Sequence, residues 1–85
     1  MQRAGTVVSA VEQFGRNLFM ARRRAWMSQE QLAARSGLHR TEIGLLEKGQ
    51  REPRLTTILR VLDGLAVDPN DLLKGLRAET RRRST

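Results

Sequence analysis

Apolar residues along this chain recur at three- and four-residue spacing in short runs, separated by glycine, proline and polar clusters. Val11, Phe14, Leu18, Ala21 and Ala25 form the first such face and predict a helix over 9–25. Ser9 and Glu12 make an S-x-x-E capping box at its start. Val7 continues the stripe backwards, so 1–8 reads as an arm or as an earlier start of this helix. Ser28 and Gln31 make a second box, with Met27 placed to staple onto Leu32 and with Leu32 and Ala33 facing inward. Gly37 supplies the left-handed turn that stops this helix near Ser36. Gly37, Leu38 and His39 then lead into a third helix, Arg40–Lys48, which buries Ile43 and Leu46 and ends at Gly49. Leu38 and Ile43 staple around His39 at its cap. A polar loop, Gln50 to Pro53, follows. Leu55, Ile58, Leu59, Leu62 and Leu65 make a fourth stripe. Asp68 as cap, Pro69 in the first turn and a Val67–Leu72 staple open a fifth helix. No strand pattern and no internal repeat occur. The pattern therefore predicts an all-α domain over 9–76, preceded by the arm and followed by a basic, disordered tail over 77–85.

Composition narrows the chemistry. With 85 residues, one domain is expected, and its core is small enough that efficient packing or self-association must add stability. There is no cysteine, and His39 is the sole histidine, so no metal or cofactor is expected. No apolar run approaches the roughly 20 residues of a membrane span. The start MQRAGTVVSA makes a poor signal peptide, which leaves a cytoplasmic protein as the expectation, nucleoid-associated if it binds nucleic acid. Sixteen Lys and Arg oppose nine Asp and Glu, for a formal charge of +7. All of the cations but Lys48 and Lys74 are arginine, the side chain best shaped for phosphate and guanine. Such an excess fits nucleic acid, a membrane surface or an acidic protein. Two Phe, one Trp and no Tyr are too few for a platform that stacks single strands. No triad, phosphate loop, metal cluster or paired-carboxylate site is visible, so no catalytic residue is assigned and an enzyme is not expected.

Two short helices joined by a glycine-containing three-residue turn have helix-turn-helix spacing. The third helix also has a polar outer face of Arg40, Thr41, Gly44, Leu45 and Lys48, with a small residue where a backbone could approach. The stretch MSQEQLAARSGLHRTEIGLLEKGQREPRLTTILRVLDGL carries S-Q-E-x-L-A, S-G-L, I-x-x-x-E-x-G, a proline and a leucine-rich helix in register. It resembles the Cro/repressor, or XRE-type, helix-turn-helix family over roughly Phe14 to Leu73. The resemblance implies a five-helix bundle of the lambda-repressor-like type, with Arg40–Lys48 entering the major groove of double-stranded DNA.

The same resemblance implies roles for individual residues. Arg40, Thr41, Gly44 and Leu45 take the base-reading positions, where an arginine gripping guanine discriminates by about 1–3 kcal/mol and a leucine can meet a thymine methyl. Arg40 as a phosphate contact and Leu45 as an ordinary exposed leucine are the plainer readings. Gln29, His39, Lys48 and Arg51 are implied phosphate contacts, His39 alternatively being a helix cap. Arg22 and Glu47 match a pair that ties helix one to helix three; two unrelated surface charges are the alternative. Trp26 stands where the family has Gly or Asn, so it is either strained or forces a different helix end. With Met27 it reads as core and turn packing. His39 and Arg54 replace the usual hydroxyl caps. The Arg22-Arg23-Arg24 run reads as a solvated face, and Arg81-Arg82-Arg83 as a solubilising tail rather than a minor-groove arm.

The expected function is a transcriptional regulator, a repressor rather than an activator, binding an inverted-repeat operator as a homodimer through Leu72, Leu73 and Leu76. Leu73 and Leu76 folding back onto Val7, Val11 and helix one is the monomeric alternative. An antitoxin with a toxin partner, a restriction-modification controller and a protein-interaction module without DNA binding remain as other readings.

Overall fold

The computed structural model describes residues 8–78. Val7, most of the predicted arm and Arg81, Arg82 and Arg83 lie outside them. Five helices follow in order: α1 (Ala10–Arg24), α2 (Gln29–Ser36), α3 (Arg40–Glu47), α4 (Leu55–Leu65) and α5 (Pro69–Leu73). Their starts follow the side chains that cap them. Ser9 Oγ accepts from Glu12 N at 3.0 Å while Glu12 Oε1 accepts from Ser9 N at 3.2 Å. Ser28 and Gln31 repeat the arrangement at α2, at 3.0 and 2.8 Å. Asp68 Oδ1 accepts from Asn70 N at 2.9 Å, with Pro69 in the first turn of α5. These bonds satisfy N–H groups that no intrahelical carbonyl can reach. The His39 and Arg54 side chains make no such bond, so the cap expected of His39 is not formed.

Phe14, Leu18 and Ala21 of α1, Leu32 and Ala33 of α2, Ile43 and Leu46 of α3, Val61, Leu62 and Leu65 of α4, and Leu72 of α5 form one buried core. Met27, Leu38 and Val67, the outer partners of the three expected staples, are half-buried against it. Leu72 is fully enclosed in this core, which corrects its assignment to a dimer interface: its side chain already has its partners within the protomer. The reason is the staple geometry, which turns the fourth residue of α5 inward with Val67. Leu76 is half-buried in a groove with Val11, Phe14, Pro53 and Ile58, and Leu73 keeps 40% of its surface exposed. Asn17, itself buried, holds α5 against α1: its amide donates to the carbonyls of Leu72 and Lys74 at 2.8 and 2.9 Å.

Two further expectations change. The apolar stripe of α4 is wider than the face it buries. Thr57, Val61, Leu62, Gly64 and Leu65 are inside, whereas Leu55 and Leu59 lie at the stripe's edge, 71% and 51% exposed. Trp26 does end α1 in the left-handed conformation, at φ 59°, but it is 92% exposed rather than packed. The left-handed backbone costs a residue bearing a β-carbon about 1–2 kcal/mol. Ala66 accepts the same conformation at the end of α4, where sequence reasoning raised no expectation. Among the described residues no helix is long and apolar enough to cross a membrane.

Candidate nucleic-acid interface

α2, the turn at Gly37 and α3 form the expected two-helix unit. Gly37 takes φ 74°, and the N–H groups of Gly37 and Leu38 both donate to the Ala33 carbonyl, at 2.9 and 3.1 Å. This closes α2 and sends the chain directly into α3.

The inner side of α3 is seated with little room for adjustment. Ile43 and Leu46 are completely buried. A β-carbon on Gly15 of α1 would come within 2.7 Å of the Glu47 carbonyl oxygen and closer still to that of Leu46. Backbone therefore meets backbone where α1 crosses the last turn of α3, and only glycine permits that approach. Sequence reasoning passed over Gly15. Its signal is a glycine on the apolar face of α1, between Val11 and Leu18. Past the helix, Gly49 at φ 71° turns the chain beside Glu12 of α1.

An ionic network completes the seat. Glu47 Oε2 accepts from Arg22 Nε at 2.5 Å, and Glu47 Oε1 accepts from Arg22 Nη2 and from Gln29 Nε2, each at 3.0 Å. Arg22 Nη1 donates to the Met27 carbonyl at 2.7 Å. The pair is sheltered, with side chains 9% and 5% exposed, so these are not two unrelated surface charges. Removing both ions from water is costly. Planar two-point pairing with additional hydrogen bonds offsets that cost and fixes direction as well as distance. One carboxylate thus joins α1, α2 and α3.

The outer side of α3 presents a different chemistry. Gln29, Arg40, Thr41, Gly44, Leu45 and Lys48 line a single shallow concavity. Arg40, Thr41 and Lys48 are exposed; Gln29, Gly44 and Leu45 are half-buried. His39 and Arg51 are exposed but stand outside this lining. Gln29 has a role that sequence reasoning did not foresee, since its amide is held by Glu47 before any ligand arrives. Gly44 is informative for the opposite reason from Gly15. A β-carbon there would sit 3.8 Å from the Gln29 amide nitrogen, an ordinary contact, so nothing inside the protein demands a glycine. The strip combines cations, a hydroxyl, a small residue and an apolar side chain, a set able to meet phosphates, base edges and a methyl group at close range.

Comparison with known proteins follows the same outline. A family of helix-turn-helix domains matches residues 13–75. The control protein C.BamHI of Bacillus amyloliquefaciens is 47% identical over 47 residues, a match covering 55% of this chain and 58% of that protein. The control protein C.SmaI of Serratia marcescens is 44% identical over 55 residues, covering 62% of this chain and 66% of that one. The chain thus spans less than two thirds of the length of either control protein. Among solved structures, the restriction-modification controller protein C.AhdI from Aeromonas hydrophila superposes with a TM-score of 0.70 at 39% identity, over 73% of this chain and 94% of that one.

Proposed function

We propose for this chain, which belongs to the helix-turn-helix domain family, a role as a sequence-specific double-stranded DNA-binding regulator of transcription, of the restriction-modification controller kind. The observation that carries the reading is the contrast across α3. Its inner side is clamped by Gly15, Gly49 and the Glu47 network, while its outer side keeps a glycine that the protein itself does not need. A rigid helix with a bare spot on its exposed face suits close approach to a duplex groove. In this reading Arg40, Thr41 and Leu45 meet base edges, and Gly44 lets the helix backbone come near. Gln29, Lys48, Arg51 and His39 meet phosphates. Glu47 aims the Gln29 amide, so one carboxylate both seats the reading helix and orients a phosphate contact.

The regulator acts as a homodimer in this proposal. Leu55 and Leu59, one turn apart on α4, and Leu73 of α5 are the exposed apolar residues left for the contact, since Leu72 is enclosed and Leu76 is half-buried beside Val11 and Phe14. Two-fold pairing places the reading helices about 34–36 Å apart and implies an inverted repeat with half-site centres about 10 bp apart.

Substitution at Gly44 tests the reading. Gly44→Ala adds a methyl that the protein accommodates and raises helix propensity by about 1 kcal/mol. Thermal stability should hold or rise while affinity for duplexes selected from a random pool falls. Unchanged affinity with Gly44→Ala and with the larger Gly44→Leu would remove the support that this position lends. For the dimer, Leu59→Asp should shift sedimentation at micromolar concentration towards the monomer; an unaltered dimer would place the contact elsewhere.

A further inference from the structure

The C-terminal end of α1 carries a second basic surface that the reading above does not use. Trp26 holds a strained left-handed backbone and projects almost wholly into solvent. No internal packing compensates for it. Met20, Arg22, Arg23, Arg24, Met27 and Ser28 line an open concavity with it, and no carboxylate is among them. Phe19 lies under two of the guanidinium groups, 5.4 Å from Arg22 Cζ and 5.5 Å from Arg23 Cζ to the ring centroid. The Arg22 charge is taken up by Glu47. Arg23 and Arg24 are exposed and have no acidic partner at salt-bridge distance among the described residues. The Phe19 ring gives the Arg23 head group a face to rest on, which lowers part of the ordering cost of using it.

This surface and the α3 concavity meet at the start of α2. Ser28 borders it, and the next residue, Gln29, lines the concavity. Arg22 reaches both sides, donating to the Met27 carbonyl and to Glu47, which in turn holds Gln29. A polyanion lying in the concavity and extended past the first turn of α2 would meet Trp26 next.

We infer that Trp26, with Arg23 and Arg24, forms a second DNA contact that grips the sugar–phosphate backbone flanking the base pairs addressed by α3. The inference rests on the DNA-reading function proposed above. The two arginines neutralise phosphates, and the indole covers a deoxyribose face while its Nε1–H reaches a phosphate oxygen. Such a contact adds affinity and fixes orientation without adding sequence preference. An acidic protein would also suit the charge, but the adjacency to the Gln29 end of the concavity favours DNA.

The chain contains one Trp and no Tyr, so its intrinsic fluorescence reports on position 26 alone. The full chain is titrated with a duplex recovered from a random pool, with the same duplex trimmed to its selected positions, and with a mixed-sequence duplex at low salt. With the full-length duplexes, Trp26 emission should change and iodide should quench it less. Trp26→Gly should melt no lower than the wild type yet bind the full-length selected duplex severalfold more weakly, a deficit that disappears on the trimmed one. Arg23→Ala should reduce the slope of log affinity against log salt by about 0.9 and leave the selected sequence unaltered. Wild-type binding with Trp26 still open to iodide, and with Trp26→Gly and Arg23→Ala binding as tightly, would overturn the contact and leave the face to a protein partner. Failure of the wild type to bind any duplex would overturn the DNA-reading function and this contact with it.

Discussion

The turns after α1 and after α3 share a hydrogen-bond pattern but carry opposite kinds of residue. In the first, Trp26 N and Met27 N donate to the carbonyls of Arg23 and Arg22 at 3.0 and 3.2 Å. In the second, Gly49 N and Gln50 N donate to those of Leu46 and Leu45 at 3.1 and 2.9 Å. Both central residues are left-handed, and both turns satisfy carbonyls that the helix leaves without partners. At Gly49 folding dictates the residue twice over: the backbone favours glycine, and a β-carbon would sit 3.0 Å from Glu12 Cγ and 3.1 Å from Glu12 Cα. At Trp26 folding disfavours the residue present, and almost all of its surface faces solvent. The difference separates a turn shaped by the interior from one whose side chain has its reason outside the fold.

Arg22 and Glu47 sit just before these two turns and tie them together, so the largest effect is expected there. Glu47→Ala leaves a sheltered guanidinium without its counter-ion and should cost about 3 kcal/mol, the lower end of the range for broken buried pairs. Chemical denaturation of Arg22→Ala, Glu47→Ala and the double variant should be clearly non-additive; additive losses would mean that the two turns are not coupled through this pair. Gly49→Ala should destabilise by about 1–2 kcal/mol from backbone conformation alone, with the encounter with Glu12 adding to it. If it melts with the wild type, the α3 turn is more tolerant than its geometry says. Trp26→Gly should act in the opposite direction, gaining about 0.5–1 kcal/mol after the extra freedom of the unfolded chain is allowed for. For a domain of this size each kcal/mol corresponds to about 4–8 °C in melting temperature, so the opposite signs are readily resolved. A loss of stability in Trp26→Gly would collapse the contrast. The smallest effect belongs to Arg51, outside the concavity. Arg51→Ala should leave stability alone, weaken binding to all duplexes alike and flatten the salt dependence by about one unit.

Much of this architecture was legible because local chemistry dictates it. Ser9, Ser28 and Asp68 announce helix starts, and Gly37 and Gly49 announce helix ends, since each solves a problem confined to one turn of chain. The composition of the outer face of α3 was equally readable from periodicity. Distances across the molecule were not. Leu72 and Leu73 are neighbours of the same type; the staple with Val67 turns the first inward, and the packing of α5 on α1 encloses it while leaving the second half-open. Leu55 and Leu59 belong to the same apolar stripe as Leu62, but the buried face of α4 is narrower than that stripe. Gly15 looks like a weak point in a helix until α3 is seen to cross it. Asn17 looks like a surface amide until the C-terminal end of α5 reaches it. Trp26 defied expectation because aromatic residues are normally placed by their own burial, and here the backbone turn alone places it.

Selection of duplexes from a random pool, run in parallel on the wild type and on Arg40→Ala, tests the central claim most directly. The account predicts that the wild type enriches an inverted repeat with half-site centres about 10 bp apart. It predicts that Arg40→Ala enriches the same repeat with one symmetric pair of positions relaxed. No enrichment by the wild type at low salt, or an enriched sequence identical for both proteins, would contradict the assignment of α3 as the helix that reads DNA.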